Sequence, residues 1–190
     1  DARGAVSSGL DFRSDASSAP TPAMRQAMAA APVGNDDFGD DPTVNELESE
    51  GARILGKEAA LFVHSATMAN LAAVMSHVDA GGTVLTGERF HVFDHEGDAM
   101  GRVAGVDFTL VPDETCRGRT RLPLERLPAD SESVGLLSLE NSVSRPGGTV
   151  IDMEHLQQLS GWARERGLPV HLDGARLLNA QAATGIAARD

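Results

Sequence analysis

The feature that most constrains this chain is the alternation of short apolar runs with longer amphipathic segments after residue 58. Apolar runs of strand length lie at 59–63, 83–86, 106–111, 134–139 and 169–172. The segments between them carry apolar residues at helical spacing, most clearly the one that follows Asp152. Strands that alternate with helices need crossover connections, and these join parallel strands. The sequence therefore predicts an α/β fold with a mostly parallel sheet flanked by helices.

Charge and apolar run length argue against two classes of partner. The 190 residues hold 16 Lys and Arg against 28 Asp and Glu, a formal net charge of −12, so we expect no nucleic-acid partner. No apolar run approaches the roughly 20 residues of a membrane-spanning helix, so we expect no membrane partner. The single cysteine, Cys116, cannot form an internal disulfide, which favours a cytoplasmic location.

The residues before the alternation have a different character. Residues 1–10 are small and polar, and they predict a flexible leader. Residues 11–58 contain Thr21-Pro22 and Asp41-Pro42, where a capping side chain precedes a proline, as is typical of a helix start. They therefore predict a helical arm, and residues 59–190 form the α/β part.

Polar residues follow three of the predicted strands, and ligands of parallel sheets bind at the carboxyl ends of strands. Ser65-Ala66-Thr67 precedes a helix, whose free backbone N–H groups suit an anion, although helix capping alone explains such residues more often. The stretch 88–96 holds His91 and His95 with three carboxylates. Its spacing lacks the rest of a metal signature, so we predict no metal site.

The third strand end carries Asp173, with Arg176 three residues later. A carboxylate at the end of a buried strand needs a cation or hydrogen-bond donors. A structural salt bridge is one explanation and a ligand site is the other. Three polar strand ends in one sheet favour the ligand site.

Longer motifs run in order along the chain: Asp11-Phe12-Arg13-Ser14-Asp15, Gly39-Asp40-Asp41-Pro42-Thr43-Val44, Leu55-Gly56-Lys57-Glu58-Ala59-Ala60 and His171-Leu172-Asp173-Gly174-Ala175-Arg176. From residue 11 to about 185 the chain resembles the L-threonine aldolases and related β-eliminating lyases. The resemblance implies the fold-type I architecture of enzymes that use pyridoxal 5′-phosphate, with active sites at a subunit interface. It makes residues 11–58 an arm and interface segment, and 59–190 part of the large cofactor-binding domain.

The resemblance also implies which residues bind the cofactor. Ser65, Ala66 and Thr67 match the family's phosphate cup, at a helix N-terminus. His91 matches the histidine that stacks on the cofactor ring. Asp173 matches the aspartate that pairs with the pyridine nitrogen and keeps the ring an electron sink.

Two further residues match groups near the substrate carboxylate. They are Ser14 and Arg176, and a guanidinium fork suits a carboxylate. With these assignments the predicted catalytic residues are His91, Asp173 and Arg176.

The chain departs from the family pattern at several positions. Ala66 replaces a glycine, which is tolerable if its φ is negative. Val143 replaces the second active-site histidine, and Phe38 replaces a tyrosine, so both departures argue against plain cleavage of threonine. His64 and His95 are either replacement proton-transfer groups or surface histidines.

The largest departure concerns lysine. The family's Schiff-base lysine lies beyond the Asp-Gly-Ala-Arg motif, whereas the only lysine here, Lys57, precedes the first predicted strand and is not predicted to reach the cofactor. We therefore expect a second chain to supply the lysine and the small domain in a hetero-oligomer, because the sheet is incomplete without it and 59–63 lacks a strand neighbour. A different possibility is that the 190 residues are one piece of a longer chain.

On this basis the chain is predicted to be the N-terminal half of a split enzyme. The expected chemistry is aldol, retro-aldol or transaldol reaction of β-hydroxy amino acids or glycine. The alternative is a non-catalytic scaffold or regulatory pseudo-subunit of a complete homologue.

Overall fold

A computed structural model describes residues 14–145 and 147–190, which divide into two compact units at residues 50 and 51. The predicted leader, residues 1–10, and Asp11–Arg13 of the first motif lie outside the described residues. The predicted boundary at residues 58 and 59 stays a prediction. No helix of the described part is long and apolar enough to cross a membrane.

The first unit is helical. Helix α1 spans Pro22–Ala30, and Thr21 caps it by accepting a hydrogen bond from the Met24 N–H at 3.2 Å. Helix α2 spans Pro42–Leu55 and begins after Asp41, whose carboxylate accepts the N–H groups of Thr43 and Val44. Backbone N–H donation, from Gly34 above all, holds the pKa of Asp41 below its usual value. Both helices therefore begin at the predicted capping residues.

The second unit contains the sheet. Its strands are β1 Thr83–Gly87, β2 Asp107–Val111, β3 Glu114–Cys116, β4 Arg119–Arg121, β5 Val134–Glu140 and β6 Val170–Asp173. Its helices are α3 Ala66–His77, α4 His91–Asp94, α5 Gly97–Ala99, α6 Met153–Glu165 and α7 Leu177–Thr184. Strands β2, β1, β5 and β6 pair in that order, all parallel, while β3 and β4 form a separate antiparallel hairpin. The predicted α/β fold with a parallel sheet is confirmed.

Apolar side chains cover both faces of the sheet, because successive residues of a strand point to opposite sides. Val84 and Leu136 belong to a core that includes residues of α3, and Leu85 and Leu137 to a second core that includes residues of α6. A sheet buried on both faces explains why these strands read as continuous apolar runs.

The strand predicted at 59–63 is wrong. These residues belong to no strand in the described part of the chain, and Leu61 and Phe62 are 79% and 44% exposed. An extended segment becomes a strand only when a neighbour accepts its backbone hydrogen bonds. None of the described strands lies beside it.

Candidate active site at the carboxyl ends of the strands

Three neighbouring strands end at the same edge of the sheet, because β1, β5 and β6 are parallel and adjacent. Strand β5 ends at Glu140 and β6 at Asp173, which pair in register. Strand β1 ends at Gly87, where a Cβ atom would lie 2.9 Å from the buried ring of Phe90. This close approach lets the chain turn directly into α4, whose first residue is His91.

Asp173 is held as a hydrogen-bond acceptor. Its side chain is buried, Oδ1 accepts the Ala175 N–H at 3.0 Å and Oδ2 accepts Asn70 Nδ2 at 2.9 Å. A carboxylate has about four lone-pair positions, so both oxygens retain capacity for another donor. The donor set therefore fits a carboxylate that receives a ring N–H.

Asn70 connects this carboxylate to its surroundings. Its amide nitrogen also donates to Glu96 Oε1 at 3.3 Å, and its oxygen lies 2.9 Å from His171 Nε2. His171 lies two residues before Asp173 on β6, and therefore on the same face of the sheet. Burial lowers the pKa of His171, although the nearby Asp173 charge opposes the shift.

His91 is positioned by two carboxylates. Its backbone N–H donates to Glu140 Oε2 at 2.6 Å, and its ring Nδ1 lies 2.7 Å from Glu96 Oε1. Its ring stacks on that of His95 at 4.6 Å between centroids, with 7° between the planes. One face of the His91 ring is thus covered by His95.

Glu140 has a structural part in this arrangement. Its two oxygens accept the N–H groups of His91 and Ser144, at 2.6 and 2.7 Å. Burial raises the pKa of Glu140, and the two backbone donors act against that shift. The carboxyl group thereby ties the start of α4 to the loop after β5.

The predicted phosphate cup lies at the start of α3. Ser65 is the N-cap and its Oγ accepts the Met68 N–H at 3.1 Å. Ala66 begins the helix, so its φ is negative and the replacement of glycine brings no strain. Ser65, Ala66 and Thr67 are exposed, and the unpaired N–H groups of the first turn can receive an anion.

A cleft of about 1050 Å³ runs along the outer edge of β6. Ala66, Asn70 and Asp173 line it, which brings the start of α3 and the end of β6 into one cavity. Lys57 also lines this cleft. The only lysine of the sequence thus lines the same cleft as Asp173, whereas Ser65, Thr67 and His91 do not line it.

The remaining predicted residues have other surroundings. Arg176 is half-buried at the start of α7 and does not line the cleft. Ser14 belongs to the first unit, where its Oγ accepts the Ala16 N–H, and its role stays a prediction. Val143 is fully buried in the core, so its side chain fills space that cannot serve proton transfer.

The two histidines that depart from the family pattern also differ in their contacts. His64 is exposed, with its ring 5.9 Å from that of Phe62. His95 pairs with Asp94 and stacks on His91. In residues 14–145 and 147–190, no group of three or more His, Cys, Asp or Glu side chains is placed to hold a metal ion.

Sequence reasoning assigned no role to Asn70, Glu96 or Glu140. The only local signals are that Asn70 ends the motif beginning at Ser65 and that Glu96 ends the polar stretch after β1. Their contacts with the other site residues are mostly long-range, such as Asn70 with Asp173 and Glu140 with His91, and no spacing rule finds these. Together, the buried acceptor Asp173, the partly exposed ring of His91 and the N-terminus of α3 fit a phosphorylated pyridine.

Comparison with known proteins gives the same assignment over most of the chain. The β-eliminating lyase family model matches residues 11–190. The chain is 40% identical over 186 residues to the low specificity L-threonine aldolase of Escherichia coli K12, covering 93% of this chain and 53% of that protein. It is 38% identical over 184 residues to low-specificity L-threonine aldolase 1 of Arabidopsis thaliana, covering 93% and 51%.

Solved structures agree with the fold. A β-eliminating lyase/threonine aldolase from Exiguobacterium sp. 255-15 superposes with a TM-score of 0.70 and 26% identity, covering 87% of this chain and 46% of that one. The chain spans about half the length of the curated relatives that it matches. It belongs to the β-eliminating lyase family, whose threonine aldolases and fold-type I structural neighbours are pyridoxal-phosphate-dependent enzymes.

Proposed function

We propose that this chain is the cofactor-binding half of a pyridoxal-phosphate-dependent lyase of the threonine aldolase type. The substrates are β-hydroxy amino acids or glycine, and the reaction makes or breaks the bond between the α- and β-carbons. The observation that carries this proposal is Asp173, a buried carboxylate at the end of β6 that keeps capacity for one more donor. When bound, the cofactor supplies a protonated ring that accepts the electron pair released at the α-carbon.

The chain's own residues divide the remaining work. The start of α3, with Ser65, holds the phosphate on free N–H groups. Asp173 holds the ring nitrogen in its protonated form, and His91 covers one face of the ring. Arg176 binds the substrate carboxylate, which orients the bond to be broken.

The proposal includes a second polypeptide that completes the sheet and supplies a lysine. Strand β6 pairs only with β5 among the described strands, and its Val170 and Leu172 are 39% and 37% exposed. Leu61, which is 79% exposed, belongs to the segment 59–63, and that segment forms no strand in the described part of the chain. An open edge with apolar side chains is a place where further strands pair. A lysine-bearing strand added there would enter the cleft that Asp173 lines.

The test is an absorbance spectrum with added pyridoxal phosphate, measured on this chain alone and then with the lysine-bearing chain. A visible band that forms only in the mixture, and that borohydride fixes to a lysine of the second chain, supports the proposal. A band from this chain alone that disappears in Lys57→Arg identifies Lys57 as the lysine and overturns the two-chain part. No band in either sample overturns the proposed function.

A second candidate function is a non-catalytic subunit that scaffolds a complete homologue. The burial of Val143 favours it, because that position offers no proton-transfer group. A scaffold would leave the activity of the assembly independent of Asp173. The turnover of an Asp173→Ala variant separates the two functions.

A further inference from the structure

The buried polar groups beside Asp173 form one continuous hydrogen-bond chain. It runs from His171 through Asn70 to Asp173 and, by the second amide hydrogen of Asn70, through Glu96 to His91. Asn70 and Glu96 are each 3% exposed. Buried polar groups at this depth are normally retained only when they are paired, and such chains hold side chains in one orientation.

The chemistry of the partners determines the orientation of the Asn70 amide. Its Nδ2 lies 2.9 Å from Asp173 Oδ2 and 3.3 Å from Glu96 Oε1, and both carboxylates can only accept. The two hydrogens of Nδ2 therefore point at them. Oδ1 then faces His171 as an acceptor, so the nitrogen 2.9 Å away, His171 Nε2, must carry a hydrogen.

The same reasoning determines the state of His91. Glu96 Oε1 already accepts from Asn70 and, as a carboxylate oxygen, has no hydrogen to give. The nitrogen 2.7 Å away, His91 Nδ1, is therefore the donor. In a neutral imidazole one nitrogen donates and the other accepts, so His91 Nε2 carries the lone pair.

We propose that Asn70 and Glu96 are positioning residues that keep a hydrogen on His91 Nδ1, so that Nε2 is the nitrogen that carries the lone pair whenever the ring is neutral. Asn70 fixes Glu96 by a hydrogen bond, and the same amide fixes Asp173. One side chain thus sets the direction of both the ring-nitrogen partner and the stacking histidine.

The use of this lone pair in catalysis rests on the proposed function, but the tautomer itself does not. It is measured in the cofactor-free 190-residue chain by ¹⁵N NMR of labelled histidine, at a pH where the rings are neutral. The expected spectrum shows a protonated Nδ1 and an unprotonated Nε2 for His91. A wild-type spectrum with the proton on His91 Nε2 overturns the inference, whatever the cofactor spectrum shows.

Two variants test the cause. Glu96→Leu removes the acceptor and is expected to shift His91 toward the Nε2–H form, whereas Glu96→Gln retains a carbonyl oxygen and is expected to preserve Nδ1–H. Asp94→Asn is the matched control, because Asp94 contacts His95 and Arg145 rather than His91. A Glu96→Leu spectrum identical to wild type overturns the role of Glu96. If Glu96→Leu does not fold, the wild-type and Glu96→Gln spectra still decide the tautomer.

A kinetic readout follows in the completed enzyme. Removal of a partner that orients a functional histidine typically lowers activity about 10- to 100-fold. Glu96→Leu should therefore lower kcat by that factor, and Glu96→Gln should lower it by less. If His91 has its proton on Nδ1 but the chain binds no pyridoxal phosphate, only the proposed function is overturned. Cofactor uptake with the wrong tautomer would overturn only this inference.

Discussion

Two regions of the second unit differ in how completely their polar and apolar groups are paired or buried. Around Asp173, nearly every buried polar atom has a partner, and Glu96 Oε2 and Ser138 Oγ are the exceptions among the described residues. Among the described strands, β6 pairs on one side only, and apolar side chains such as Leu172 on β6 and Leu61 in the segment 59–63 are exposed. The polar groups around Asp173 are held by contacts within this chain, whereas the sheet beside them is open at the edge of β6.

This difference separates two kinds of dependence. Groups at the carboxyl ends of β5 and β6 are fixed by contacts within this chain, so they keep their geometry without help. The edge of β6 depends on whatever covers it, because exposed strand edges and apolar patches favour association. Substitutions in the two regions should therefore affect different measurements.

Asp173→Ala should have the largest effect and tests the organised region. Removal of a preorganised group that stabilises developing charge costs on the order of 10²–10³ in kcat, and we expect at least this loss in the completed enzyme. Steady-state kinetics with a β-hydroxy amino acid measures it. Asp152→Asn, at an exposed carboxylate paired with Arg119, serves as the control. Normal turnover in Asp173→Ala would favour the scaffold function.

Leu172→Arg tests the open edge. A charge placed where a partner buries an apolar strand costs several kcal/mol, so the affinity for the lysine-bearing chain should fall at least about 100-fold. Titration calorimetry measures the affinity. Val103→Arg is the matched control, because Val103 is 60% exposed and does not line the cleft. Equal affinities of the two variants would show that β6 is not the contact.

Ser65→Ala should have moderate effects on both the stability of the chain and its affinity for the cofactor. Loss of an N-cap hydroxyl costs about 1 kcal/mol of stability, and here it also removes a group from the proposed phosphate cup. Urea denaturation of the chain without cofactor measures the first effect, and cofactor titration measures the second. Thr21→Ala, which removes the cap of α1, controls for capping alone. If the two variants bind cofactor equally well, the start of α3 is not the phosphate site.

His171→Gln should have the smallest effect, and this effect is measured as a change in the pH dependence of the free energy of unfolding. Because burial lowers the pKa of His171 below the ordinary histidine value of about 6.5, its contribution to stability is present above that pH and is lost as the pH falls from there through the folded pKa. The free energy of unfolding of the wild type should therefore decrease more steeply on acidification than that of the variant. His64→Gln, at an exposed histidine outside the causes of the His171 shift, should keep the wild-type slope. Identical slopes in wild type and His171→Gln would contradict the burial argument.

Much of the fold could be predicted because its signals are local. Apolar periodicity located β5 and α6, and a capping residue followed by proline located the starts of α1 and α2. The strand predicted at 59–63 is wrong because strand pairing is not a local property. Its composition suits a strand, but pairing is a property of the neighbour, and no described strand lies beside it.

The site was predictable where residue types follow strand ends, as at Asp173, and unpredictable where contacts are long-range. The sequence by itself determined the alternation of strands and helices, and with it the edge at which polar residues collect. Only the tertiary structure decided that Asn70 contacts Asp173, 103 residues away, and Glu96, 26 residues away. A hydrogen bond across such distances leaves no periodic pattern, because its geometry exists only after α3 packs against the sheet.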